Sequence, residues 1–201
     1  MPTFNGSPIG RCAKFRPMAN FPLHTIMSAP GGAKPFLALA QRAYKRVPNL
    51  AATLAESPPA IEAYFALDGF FARSDLSEAE RKIVLLAASI EQECHYCTAF
   101  HLHAAAAAGV SEAALTALRG GAALDDPRLE ALRSFTVAVV RKRGVGCSAD
   151  AAVALQHGYS RAALLDVMLG IALEIFANYV NHIAETPIDD WLDAARKERA
   201  E

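Results

Sequence analysis

Missing from this chain is any stretch in which polar and apolar residues alternate convincingly, so a half-buried β-strand has no candidate. An excess of charge of one sign is missing too: 20 Lys and Arg stand against 21 Asp and Glu, for a formal net charge of −1. No basic run is interleaved with aromatics, which removes the electrostatic case for a nucleic-acid partner. Cysteine is scarce, with four in 201 residues, too few for a disulfide scaffold. No apolar segment follows Arg11, Lys14 and Arg16, so no secretory signal is expected. The most apolar long stretch, 162–180, is interrupted by Asp166, Glu174 and Asn178, and no membrane partner is expected. These absences make a cytoplasmic location the expectation, where Cys-x-x-Cys more often serves redox or metal chemistry than stapling.

What is present is helix after helix. Apolar residues make up 53% and charged residues 20%, the balance of a globular chain. Residues 1–34, rich in Pro, Gly and Ser, read as an extended or partly disordered lead-in, and residues 35–201 as one all-α domain. Amphipathic helices are expected over 35–46 and 58–73. Ser77-Glu-Ala-Glu80 is a capping box, and the helix it opens is apolar nearly all round from Ile83 to Ala88, so it should be buried. An Ala-rich helix follows and stops at Gly109. Shorter helices are expected from Ser111 to Gly120 and from Ser148 to His157, with one between them from Asp126-Pro127 to Gly144. The longest runs from Ser160 to about Ala184, and a charged helix over 188–200 carries Trp191, the single tryptophan. No repeat at a period of 20–50 residues appears.

Chemistry concentrates in Glu91-Gln-Glu-Cys94-His95-Tyr96-Cys97-Thr-Ala-Phe-His101. On a helix, Cys94, Cys97 and His101 share one face, because positions i, i+3 and i+7 are neighbours. A helix start and an adjacent imidazole both favour a thiolate. With a helix beginning near Glu93, His101 can take a proton from Cys97, and Cys94 is close enough to condense with an oxidised Cys97. Two other readings stay open: a pair of buried packing cysteines, and a zinc site drawing on Cys94, Cys97, His101 and His103. Three ligands on one straight helix do not enclose a tetrahedral ion, so no bound metal or cofactor is expected.

Cys94-x-x-Cys97-x-x-x-His101, preceded by a buried apolar helix, resembles the core motif of the AhpD-like alkylhydroperoxidases in the carboxymuconolactone decarboxylase superfamily. Phe21-Pro-Leu-His24, Val47-Pro-Asn-Leu50, Leu76-Ser-x-Ala-Glu80-Arg81, Asn178-Tyr-Val-Asn-His182 and Thr186-Pro-Ile-Asp189 resemble its peroxidase-related branch. The resemblance implies an all-helical fold with the Cys-x-x-Cys at or near a helix start, and homo-oligomers, which the apolar character of the helices also suggests. It implies thiol peroxidase or disulfide reductase activity, an antioxidant role. Cys97 would be peroxidatic, Cys94 resolving, and His101 the proton relay. A hydroperoxide is the implied substrate, an external lipoyl-type dithiol the implied reductant, and a peroxiredoxin an implied partner. Other classes are a superfamily decarboxylase acting on a lactone, which generally lacks the cysteine pair, and a non-enzymatic redox sensor.

One departure concerns the relay carboxylate. The best-known branch places a Glu about a dozen residues before the first cysteine, and here that count reaches Lys82. Glu80 is explained by its capping box. Glu91 is the preferred substitute, against an alternative as an exposed carboxylate at a helix end. In the longest helix, Asp166, Gly170, Glu174, Asn178 and His182 recur every four residues. The stripe reads first as a solvated face. On a second reading its end, Asn178 to His182, lines the thiol pocket or an oligomer interface, with Glu174 a candidate for the missing carboxylate. His95 is expected to be partly exposed. His24, His103 and His157 read as surface or packing residues, Cys12 and Cys147 as incidental, and Asn181 and Trp191 as structural.

Overall fold

A computed structural model describes residues 20–192. Among the described residues there are nine complete α-helices, a one-turn 3-10 helix at Gly31–Ala33, helical residues at 190–192, and no strand. The helices are α1 (Lys34–Tyr44), α2 (Asn49–Leu54), α3 (Pro58–Phe71), α4 (Glu78–Glu91), α5 (His95–Ala107), α6 (Glu112–Gly120), α7 (Pro127–Lys142), α8 (Ser148–Gln156) and α9 (Arg161–Ala184). Local signals set most boundaries. Ser77 Oγ accepts from Glu80 N at 3.3 Å while Glu80 Oε2 accepts from Ser77 N at 2.8 Å, the reciprocal capping box that opens α4. Asp126 accepts from the backbone of Arg128 and Leu129 ahead of Pro127, and Ser160 accepts from Ala163 N.

α4 is the central helix, with Ile83 to Ser89 wholly buried, and it packs against α5, α6, α7 and α9. α9 crosses α3, α4 and α5. Among the described residues, α9 alone is apolar and long enough to span a membrane, yet here it is a core helix with Glu174, Asn178 and Asn181 buried. The solvated-face reading of the stripe is therefore corrected. Gly170, Glu174 and Asn178 face the interior, and only the end member His182 is exposed. Gly170 is there because α3 comes close: a Cβ at that position would stand 2.6 Å from the Phe71 ring.

Of the lead-in, residues 20–34 are described. Ala29 and Ala33 are buried, and His24 Nε2 lies 2.7 Å from Glu56 Oε2. Residues 1–19, with Cys12, and 193–201 of the expected terminal helix lie outside the described residues. The short α2 was not expected. Its first N–H groups are satisfied from a distance of 140 positions in sequence, because Asn49 N donates to Asp189 at 3.2 Å. No local pattern announces such a partner.

Candidate functional site

The site begins with the way α4 stops. Glu93 adopts a left-handed φ of 55°, Glu93 N donates to Ile90 O at 3.0 Å, and Cys94 N donates to Ser89 O at 3.0 Å. That is a Schellman turn, usually closed by glycine. It sends the chain back on itself, so that Cys94 stands immediately before α5 and Cys97 in its first turn. Tyr96, between them, anchors the turn. Its hydroxyl donates to Asp189 Oδ2 at 2.7 Å and accepts from Leu50 N at 3.1 Å. One carboxylate thereby fastens the Cys-x-x-Cys turn, the start of α2 and the segment after α9.

Both thiols are reduced and buried. They are hydrogen-bonded to each other, which eases loss of the pair's first proton: Cys94 is pulled below the ordinary thiol range. The remaining proton is held. The bond to Cys94, burial and the nearby Glu174 carboxylate push Cys97 well up. The charge can pass between the sulfurs along their hydrogen bond, and Asn181 Nδ2 donates to Cys97 Sγ at 3.1 Å, favouring negative charge there. Asn181 is therefore a neighbour of the reactive pair as well as a core residue.

His101 is buried beside the thiols. Its Nε2 lies 3.0 Å from Glu174 Oε2, and Ser89 Oγ lies 2.7 Å from Glu174 Oε1. Glu174 is 1% exposed. Burial alone would raise it, but the facing His101 and the hydrogen bonds from His101, Ser89 and Cys97 together hold its carboxyl below the usual range. A carboxylate only accepts, so His101 Nε2 carries a proton and Nδ1 is the basic nitrogen. Nδ1 has no protein hydrogen-bond partner, and the His101 ring lines a cavity.

That cavity exposes Cys97 and His101 but not Cys94. Tyr44, Tyr64, Phe65, Tyr96 and Phe100 form aromatic walls. Asp68 is a carboxyl group on the same wall. Burial pushes Asp68 up. Burial with Asp68 nearby pushes Tyr44 to about 12.

Two candidate residues fall elsewhere. Glu91 does not meet His101: its Oε1 pairs at 2.5 Å with Nε of Arg141 on α7, which packs against α4. The carboxylate at the histidine is Glu174. His182 is exposed and does not line the cavity, since its side of α9 faces away from α5. His95 is exposed, and His103 packs edge-on against Trp191 with ring centroids 5.1 Å apart. Among the described residues no group of three or more His, Cys, Asp or Glu could hold a metal ion. Cys147 is buried against the Ala138 carbonyl, away from the pair. Ser89, Asp68, Tyr96 and Asp189 were not singled out as site residues by sequence reasoning. The one available signal was an acid in an apolar helix, Glu174, followed at i+7 by Asn181.

Residues 58–138 match the model of the carboxymuconolactone decarboxylase family. No curated protein matches the chain in sequence. Among solved structures, the fold is shared with an alkylhydroperoxidase AhpD core, an uncharacterised peroxidase-related protein from Ralstonia eutropha JMP134, at a TM-score of 0.78 and 21% identity over 89% of this chain and 96% of that one. A peroxidase-related protein from Silicibacter sp. TM1040 matches at 0.69 and 20% identity, covering 90% and 95%. A cysteine-to-alanine variant of the debrominase Bmp8, in complex with 2,3,4-tribromopyrrole, matches at 0.75 and 18%, covering 89% and 96%. At these identities the structures speak for the fold. The fold is thus that of the AhpD-like structures over nearly the whole chain, and the central helices carry the carboxymuconolactone decarboxylase family match.

Proposed function

We propose that this protein is a thiol-dependent peroxidase that reduces organic hydroperoxides through Cys97 and Cys94 and is recycled by an external dithiol of the lipoyl type. The observation that carries the reading is the Glu174–His101 hydrogen bond set beside a hydrogen-bonded thiol pair at a cavity wall. Glu174 by itself disfavours a thiolate at Cys97. Cys97 hydrogen-bonds to Glu174 and not to His101 Nδ1, so its proton reaches Nδ1 through the cavity that both residues line; the imidazolium then neutralises Glu174 and that penalty falls away. The start of α5 further favours the anion. The Cys97 thiolate attacks the distal oxygen of the hydroperoxide, the O–O bond breaks, and an alkoxide leaves and takes up a proton. The sulfenic acid on Cys97 then condenses with the Cys94 thiol, losing water and forming the disulfide. A dithiol reduces it by exchange. Cys97 faces the cavity and Cys94 lies behind it, which fits peroxidatic and resolving roles in that order.

The medium this cycle needs is a reducing one such as the cytoplasm. A second copy of the chain is the proposed neighbour on α9, where Leu165, Tyr179 and Ile183 are exposed along one long helix.

The test is a thiol count by intact mass after one equivalent of cumene hydroperoxide, then dihydrolipoamide. Rapid loss of two hydrogen atoms, reversal by the dithiol, and absence of both in Cys97→Ser are expected. Thiols that stay reduced would sink the reading and leave acid–base decarboxylation of a lactone. Oxidation without steady turnover would favour a redox sensor.

A second reading draws on the aromatic cavity walls and on the fold shared with a debrominase that holds a bromopyrrole. There the Cys97 thiolate takes bromine from carbon, the ring carbon gains a proton, and Cys94 displaces bromide to give the same disulfide. Bromide release from a bromopyrrole, measured against hydroperoxide turnover, separates the two.

A further inference from the structure

Peroxide cleavage leaves one question that the thiol–histidine–glutamate set does not answer: which group protonates the departing alkoxide. An alkoxide is a strong base, so cleaving an alkyl hydroperoxide without an acid in place is slow. Cys97 cannot supply the proton, having given it up to become the nucleophile. His101 holds that proton as the counter-ion of Glu174.

Asp68 is the one carboxyl side chain on the wall of the cavity that Cys97 and His101 share. It sits in the last turn of α3, which packs against α9, and its carboxylate takes part in no side-chain hydrogen bond and no ion pair. Charged and titratable groups act on it from α1, α3, α4, α5 and α9. Tyr44 comes from α1, Tyr64 from α3 itself, Arg81 and Lys82 from α4, His101 from α5 and Glu174 from α9. A carboxyl held by no structural partner, on the aromatic wall of the cavity that the reactive thiol also lines, is not explained by folding.

We infer that Asp68 is the general acid of the peroxidase reaction, donating its proton to the alkoxide oxygen as the O–O bond breaks. This rests on the thiol peroxidase reading above. The step balances: the Cys97 thiolate, the hydroperoxide and the Asp68 carboxylic acid become Cys97 sulfenic acid, an alcohol and the Asp68 carboxylate. Condensation with Cys94 then releases water without net proton change. The imidazolium of His101 and the carboxylate of Asp68 remain, on one cavity, and transfer of the His101 proton to Asp68 restores both. Burial favours the protonated form of Asp68 required at the start, with Glu174 adding to it and Lys82, His101 and Arg81 opposing. Two carboxyls thus take opposite parts, Glu174 held ionised behind the base and Asp68 biased towards the acid.

The experiment varies the leaving group. Single-turnover formation of the Cys94–Cys97 disulfide is timed in the full chain, in Asp68→Asn and in Asp68→Glu, with tert-butyl hydroperoxide and with peracetic acid. The first releases a basic alkoxide and the second an acetate that needs no proton. Asp68→Asn should slow the alkyl hydroperoxide about 100-fold and the peracid less than about threefold, the usual range for losing a general acid. It should also abolish the fall in rate with alkyl hydroperoxide on the alkaline side, and Asp68→Glu should restore part of the difference between the oxidants. Equal slowing of both oxidants, or no slowing, would overturn the assignment. If the unmodified chain forms no disulfide with either oxidant, the peroxidase reading itself fails and takes this one with it, a result distinguishable because it needs no variant.

Discussion

Replacing Glu174 with glutamine removes a charge and almost nothing else. The side chain keeps its length, and its amide oxygen can still accept from Ser89 Oγ or from the Nε2–H of His101, which now lie 2.7 Å and 3.0 Å from the carboxylate. What disappears is the anion that steadies an imidazolium in a buried site. A hydrogen bond to a charged group is worth about 1.5–3 kcal/mol. At about 1.4 kcal/mol per factor of ten, that range corresponds to a loss of roughly 10- to 150-fold in the rate of Cys97 oxidation. The assay is rapid-quench alkylation after mixing with cumene hydroperoxide, followed by mass measurement, with circular dichroism to confirm the fold. The stability of the variant provides a separate check. Because the folded state holds Glu174 below its ordinary value of 4.5, its ionised form adds stability above that value, and the contribution is lost as pH falls through the folded one. The unfolding free energies of parent and variant should therefore converge in acid. A variant that oxidises within about twofold of the parent rate would refute the role given to the carboxylate.

Two further substitutions test the scaffold. Gly170→Ala would drive a methyl group to 2.6 Å from the Phe71 ring; overpacking of this kind costs about 1–3 kcal/mol, and an unchanged melting temperature would show that α3 yields. Glu93→Gly relieves a left-handed φ of 55° at the turn before Cys94, and should stabilise the fold by about 0.5–1 kcal/mol in urea unfolding while leaving disulfide formation in place.

The parts of this structure that were legible in the sequence are those governed by neighbours in the chain. Ser77 with Glu80, Asp126 with Pro127, and Ser160 mark helix starts through contacts within four residues. The buried character of α4 follows from its own unbroken apolar run. The thiol–histidine spacing was equally readable, because α5 carries it through less than two turns. What escaped depends on distant partners. α2 is finished by Asp189, and Glu174 reaches His101 across 73 positions. The polar stripe of α9 illustrates the ambiguity in physical terms. A four-residue period specifies that Glu174 and Asn178 share a face, but a solvated face and a buried catalytic one have the same period. Only the packing of α3, α4 and α5 onto α9 decides between them, and it buries both. Glu91 shows a related limit: it is close to Cys94 in sequence, yet its carboxylate pairs with Arg141, 50 positions away.

Asp68 allows the relation between function and stability to be tested at one residue. Its carboxyl is raised, so the folded chain binds that proton more tightly than the unfolded chain does. The sign is opposite to that of Glu174: an ionised Asp68 weakens the fold, and the weakening is full once pH exceeds the folded value, shrinks as pH falls below it, and is gone below the ordinary value of 3.8. Asparagine occupies the same volume without a charge. Asp68→Asn should therefore be more stable than the parent at neutral pH, with the gain shrinking in mild acid, when urea midpoints are compared across a pH series. The same variant is expected to lose alkyl hydroperoxide turnover. Gain of stability together with loss of chemistry is what a residue kept for its proton should show, since a carboxyl that served packing would cost stability when replaced. If Asp68→Asn is instead less stable at neutral pH, some structural contact holds this carboxylate, and its place on the cavity wall would need no chemical explanation.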